Sequence, residues 1–203
     1  MGFVAVVFIA GAFAWNEAGT SSESGMESVK VKPVASEFAQ TLGLAQVNDP
    51  VAEYRLSQMY AQGSGVAQDK REARRWLLRS AEHGNSEAQL ELGNALREGL
   101  GGVQDYERAA MWLELAAENG NPDAQYSLAV MYRRGMGVAT DNAKAYTWFN
   151  IAAAQGVAGA AAERDAVLHL LTPIQIGAAQ AEARRLSEAP PKQSTTQTRS
   201  GHP

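Results

Sequence analysis

The sequence predicts an all-α chain: a right-handed solenoid of helix-turn-helix units, three of them complete, closed by a C-terminal capping helix. Three observations carry this expectation. Nine positions recur with a step of 36 residues, three times each and without insertion. Glycines and short polar residues fall at fixed places within each step, where helices stop and start. Between them, apolar and small residues follow a helical period. The recurring residues include Trp76, Trp112 and Trp148; Ala52, Ala88 and Ala124; Leu56, Leu92 and Leu128; and Gly63, Gly99 and Gly135.

Each unit reads as two helices. Asp49, Asn85 and Asn121 stand where an N-cap is needed, and Pro50 and Pro122 follow at the first helical position, where a missing N–H costs nothing. The first helix then covers 50–62, 86–98 and 122–134. Ala52, Leu56, Met59 and Tyr60 form one stripe of it, and Gly63 and its equivalents end it. Asp69, Asp105 and Asp141 cap the second helix, over 70–83, 106–119 and 142–155, which Gly84, Gly120 and Gly156 terminate. Ala73 and Ala81, with their equivalents, let two helices approach closely while the tryptophan fills the adjoining space. One such hairpin cannot bury its own apolar face, so neighbours must stack.

The flanks differ in composition. Residues 1–14 form an uncharged apolar run ending in Ala12-Phe13-Ala14, followed by a Ser/Glu/Gly-rich linker over 15–33. Fourteen helical residues reach about 21 Å, short of the roughly 30 Å of a bilayer core. The run reads as a signal segment, which places the chain in the periplasm or outside the cell. No Lys or Arg precedes it, so an uncleaved anchor over 2–15 and an apolar helix packed on the domain stay open. Val34 to Gln46, within 34–48, reads as a partial helix covering the first unit. Residues 158–187 read as capping helices, with Thr172-Pro173-Ile174-Gln175 as a helix start. The Pro- and Ser/Thr-rich tail over 188–203 cannot bury enough surface to order itself.

The units resemble the Sel-one-like repeat (SLR) family, a relative of the tetratricopeptide repeat. The segment from Ala124 to Gly156 carries the pattern best, with Tyr132, Gly135, Gly137, Val138, Asp141, Ala145 and Trp148 in place. The resemblance covers 49–157, as units 49–84, 85–120 and 121–156. The middle unit departs twice: Leu96 replaces the aromatic residue, and Gly101-Gly102-Val103 delays the valine by one place, which loosens that loop. The resemblance implies an adaptor of the bacterial envelope that holds a protein or peptide on its concave face. A structural spacer subunit, which would self-assemble or join a larger complex, is the alternative, and a hydrolase is the remote one.

By analogy with tetratricopeptide solenoids, first helices line that face. Its side chains that vary between units are the candidate partner-binding residues: Gln58, Gln62, Asn94, Arg97, Glu98, Val130, Arg133 and Arg134. The arginines suit a partner's carboxylates and Asn94 its main chain. Any single one of these reads first as a solvated helix residue, whereas the groove as a whole reads as a binding face. A basic stripe of Lys70, Arg71, Arg74, Arg75 and Arg79 reads first as an exposed face relieved by Asp69, Glu72 and Glu82.

Composition narrows the chemistry. Net charge is −4, from 18 basic and 22 acidic residues, which speaks against a nucleic-acid partner. There is no cysteine, so disulfides, thiolate metal sites and Cys nucleophiles are excluded. The three histidines, His83, His169 and His202, show no ligand spacing, and no metal or cofactor is expected. The glycine-rich turns follow no strand and precede no Gly-Lys-Ser/Thr, so they are not phosphate loops. No nucleophile elbow is present, and the chain is expected to be non-catalytic. The central unit has a full neighbour on each side, so Trp112→Ala is expected to lower the melting temperature more than Trp76→Ala or Trp148→Ala.

Overall fold

The computed structural model describes residues 34–100 and 102–190. The expectations for the signal-like run, the linker and residues 191–203 lie outside these. Among the described residues there are helices and turns but no strand. The helices are α1 (Val34–Gln46), α2 (Pro50–Gln62), α3 (Lys70–Glu82), α4 (Ser86–Glu98), α5 (Tyr106–Glu118), α6 (Pro122–Arg134), α7 (Asn142–Ala154), α8 (Ala160–Leu168) and α9 (Pro173–Glu188). The pairs α2–α3, α4–α5 and α6–α7 pack as antiparallel hairpins, and each second helix packs on the first helix of the next unit.

Local chemistry fixes the helix ends. Asp49, Asn85 and Asn121 accept backbone N–H bonds at the starts of α2, α4 and α6; Asp69, Asp105 and Asp141 do so for α3, α5 and α7. The first helices end in left-handed Gly63, Gly99 and Gly135. The chain then returns so that the N–H groups of Asp69, Asp105 and Asp141 donate to the carbonyls of Tyr60, Leu96 and Tyr132, at 2.9, 2.9 and 3.0 Å. Thr172 and Gln175 form a reciprocal capping box at the start of α9.

Small residues set the helix spacing. A Cβ on Gly93 in α4 would lie 2.7 Å from Leu113 Cγ on α5. The glycine of the third turn, Gly137, combines φ 69° with an approach to the start of α5. A Cβ there would stand 2.0 Å from the Tyr106 carbonyl oxygen, so the turn of one unit is pressed on the backbone of the unit before.

A polar clasp repeats beneath the apolar core. Glu53, Gln89 and Gln125, which are 36 residues apart, are all buried in the first turn of a first helix. Gln89 Nε2 donates to the Ala81 carbonyl of the preceding unit (2.9 Å) and its Oε1 accepts from Asn119 Nδ2 (3.1 Å). Gln125 repeats this with Ala117 (3.2 Å) and Gln155 (2.7 Å). In the first unit the clasp is ionic. Glu53 is fully buried and meets His83 Nδ1 and Arg79 Nε, each at 2.7 Å. Arg79 in turn donates to the Ala45 carbonyl of α1 at 3.4 Å and to Asn48 Oδ1 at 2.5 Å. The arginine thus supplies the link to the preceding helix that an amide supplies elsewhere.

The tryptophans are not equivalent. Trp148 is 6% exposed and belongs to the largest apolar cluster, with Leu128, Met131 and Phe149. Trp112, despite its central place, is only partly buried, against Leu77, Ala81 and Ala88. The ranking expected from chain position is therefore reversed, because burial sets the cost of truncation. Trp148→Ala is expected to cost about 3–5 kcal/mol in urea unfolding and Trp112→Ala clearly less. Glu53→Ala, which strands Arg79 and His83, is expected to cost about 3 kcal/mol in the same measurement. Glu53→Gln, copying the other two units, should lose less than half of that.

Candidate functional site

Two first helices, α2 and α4, stand apart over the apolar face of α3 and enclose a groove of about 790 Å³. Its floor is Ala73 and Leu77. Its walls carry Tyr54, Gln58, Ala61 and Gln62 from α2, and Leu90, Glu91 and Asn94 from α4. The walls vary between units: Gln58, Asn94 and Val130 share one repeat position, and Tyr54, Leu90 and Tyr126 another. The floor is held by the repeated small and apolar positions.

Three of the sequence-predicted residues meet in this groove. Gln58 and Gln62 are exposed, and Gln58 also hydrogen-bonds the Tyr54 hydroxyl one turn earlier on α2. Asn94 is partly buried, and its Oδ1 is shielded from solvent yet accepts no hydrogen bond from the chain. An acceptor in that condition carries an unmet desolvation cost.

The other five lie elsewhere. Arg97 donates to the adjacent Glu98 at 3.1 Å, so this pair is already matched, although Arg97 Nε remains without a partner. Val130 packs against the large apolar cluster. Arg133 is ion-paired to Glu163 of α8, and Arg134 is exposed. The fourth first helix thus takes Arg133 as a structural partner.

Sequence reasoning missed Tyr54 as a groove residue. Its position is Tyr54, Leu90 and Tyr126 in the three units, so it is neither fully repeated nor fully varied. Burial first, and then the neighbouring Glu91 carboxylate, push its phenol above the ordinary value of 10.0. Gln58 and Glu91 both reach its hydroxyl. The groove therefore has an apolar floor, three amides, a phenol and two acidic side chains, Glu87 and Glu91, with Lys70 and Arg74 at one end. It offers hydrogen bonds and apolar surface, and no nucleophile–base pair. Among the described residues, no group of three His, Asp or Glu side chains is placed to hold a metal ion, and no helix is long and apolar enough to cross a membrane.

A raised phenol pKa in the folded state favours folding fully below the unfolded value, and that contribution fades as pH rises from there through the raised value. Urea-unfolding free energies of the unaltered chain are therefore expected to fall more steeply above about pH 10 than those of Tyr54→Phe. Parallel curves would show that Tyr54 is not held in its neutral form.

Comparison with known proteins agrees with this architecture. The family described as Sel1 repeat matches three consecutive segments, 50–85, 86–121 and 122–157. The crystal structure of a Sel1 repeat protein from Oxalobacter formigenes is 37% identical, with a TM-score of 0.62; the match covers 64% of this chain and 97% of that one. A protective antigen present in uropathogenic Escherichia coli strains, displaying an SLR fold, is 34% identical with a TM-score of 0.57. That match covers 77% of this chain and 34% of the antigen, so the chain spans about a third of its length. A search of the curated proteins finds no match. Repeats of this kind are generally scaffolds for protein interaction. With three matched units over more than half of its length, the chain belongs to the Sel1 repeat family.

Proposed function

We propose that the protein is a non-catalytic adaptor that holds an extended segment of a partner protein in the groove between α2 and α4. The observation that carries this reading is the unspent hydrogen-bonding capacity of Asn94 beside an open apolar floor. A partner's main-chain N–H would satisfy its Oδ1, and Gln58 and Gln62 would take further backbone groups, as polar anchors do in peptide grooves. The first helices would form the concave face of the solenoid, with the groove as its deepest part. The apolar run over 2–15 supports a place in the cell envelope, where such an adaptor would meet periplasmic or secreted partners.

The test is capture from an envelope extract by the full chain, followed by mass spectrometry. A Gln58→Ala/Asn94→Ala variant that keeps its melting temperature is expected to lose at least one protein held by the unaltered chain. Arg134→Ala, outside the groove, should lose none. An identical set of captured proteins for all three would overturn the groove as the binding face.

A further inference from the structure

The second unit leaves open a space that its neighbours fill. In the third unit, the gap between α5 and α7 above the end of α6 holds the ring of Tyr132, which is 7% exposed. The Tyr132 hydroxyl donates to Glu114 Oε1 at 3.4 Å, Lys144 Nζ lies 4.9 Å from the ring centre, and Val138 packs on the same cluster. In the first unit Tyr60 holds the matching place and meets Phe38 edge-on, with ring centres 5.6 Å apart. One step before Tyr132 stands Leu96. Likewise Leu78 replaces Glu114, Arg108 replaces Lys144 and Gly102 replaces Val138. The delayed valine, Val103, points away from the core and is 89% exposed. What remains is a crevice of about 780 Å³ lined by Leu78, Leu92, Leu96, Leu100 and the partly exposed Trp112, with Arg74 on its α3 wall and Arg108 on its α5 wall.

We infer that this crevice accepts an aromatic side chain, phenylalanine in preference to tyrosine, from an acidic segment of a partner protein. The incoming ring takes the place that Tyr60 and Tyr132 fill within their own units. Leu78 offers no acceptor where Glu114 receives the Tyr132 hydroxyl, so a phenol would bury its O–H unpaired. Arg108 stands where Lys144 covers the ring. The acidic character follows from the α3 wall. Among the described residues, no carboxylate lies within 4.0 Å of Lys70, Arg71 or Arg74, and Arg75 meets only Glu72, at 3.4 Å. On the other wall Asp105 is engaged as the cap of α5, and Glu107 stands beside Arg108. Carboxylates flanking the ring therefore belong on the α3 side, against Lys70, Arg71 and Arg74, which have no carboxylate partner among the described residues. Arg74, Leu92, Ala95 and Leu100 line both this crevice and the groove between α2 and α4. The inference rests on the reading that the groove holds a partner segment, and it adds the chemistry of that segment's anchor.

The test uses the full chain and blocked pentapeptides of sequence Ser-Glu-Phe-Asp-Ser, with Tyr or Ala in the central place, titrated by calorimetry. The Phe peptide is expected to bind about tenfold tighter than the Ala peptide, with the Tyr peptide between them. Leu96→Tyr should fill the crevice from within, raise the melting temperature and erase the Phe-over-Ala ratio. Leu78→Glu, which restores the acceptor of the third unit, should move the preference from Phe to Tyr. Equal affinity for the Phe and Ala peptides overturns the inference, as does a folded Leu96→Tyr that still discriminates. If Leu96→Tyr does not fold, an unchanged preference in Leu78→Glu overturns it instead. Arg134→Ala, outside both groove and crevice, is expected to leave the Phe-over-Ala ratio intact. Loss of captured partners in Gln58→Ala/Asn94→Ala, together with peptides that ignore the ring, would sink the crevice while leaving the groove standing.

Discussion

One buried polar side chain per unit governs how this chain stacks. A glutamine or glutamate in the first turn of each first helix is taken out of water, and it can be satisfied only by reaching two places at once. One is the end of the second helix in its own unit. The other is a carbonyl at the end of the second helix before it. Gln89 does this through Asn119 and Ala81, and Gln125 through Gln155 and Ala117. Glu53 does it through His83 and, by way of Arg79, Ala45. Apolar packing alone tolerates sliding of one hairpin over another. A buried amide does not, because any slip strands a donor or an acceptor in the core. The groove between α2 and α4 and the crevice between α3 and α5 inherit their shapes from that fixed register.

Much of the fold is written locally. The caps at Asp69, Asp105 and Asp141, the left-handed glycines and the capping box at Thr172 are one-residue chemistries, and the structure realises each of them. The clasp was hidden because its members change type: glutamate, glutamine and glutamine on one side, histidine, asparagine and glutamine on the other. Identity searches at a fixed step miss such substitutions, although the shared capacity for hydrogen bonding was there to be seen. The differing burial of Trp112 and Trp148 was not legible either. It depends on what the preceding unit and the turn lay over each ring, which a central position does not reveal.

The candidate site was legible in part. Variation on a repeated frame pointed to Gln58, Gln62 and Asn94, which the groove does gather. The same criterion also selected Arg133, which pairs with Glu163, and Val130, which packs inward. Variation marks every position released from the repeat, whether it is released to bind a partner or to meet a flanking helix. Only the distances separate the two. The middle unit shows the same division. Its departures at Leu96 and Gly102 leave the backbone bond from Asp105 to Leu96 intact, at 2.9 Å, so the frame is kept while the surface is changed.

The last helix breaks the pattern. Whereas α3, α5 and α7 each pair with the first helix of their own hairpin, α9 lies chiefly on α7, where Thr147 Oγ1 donates to the Ala179 carbonyl at 3.3 Å and Gln180 Nε2 to the Tyr146 hydroxyl at 3.2 Å. The flank on which another unit would have been laid is thereby occupied. Duplication of a 36-residue module at the C-terminal margin would have to evict α9, whereas duplication between existing modules would meet matching surfaces on both sides. A module inserted between existing ones would therefore keep α9 in place, and it would create a fresh seam between helices.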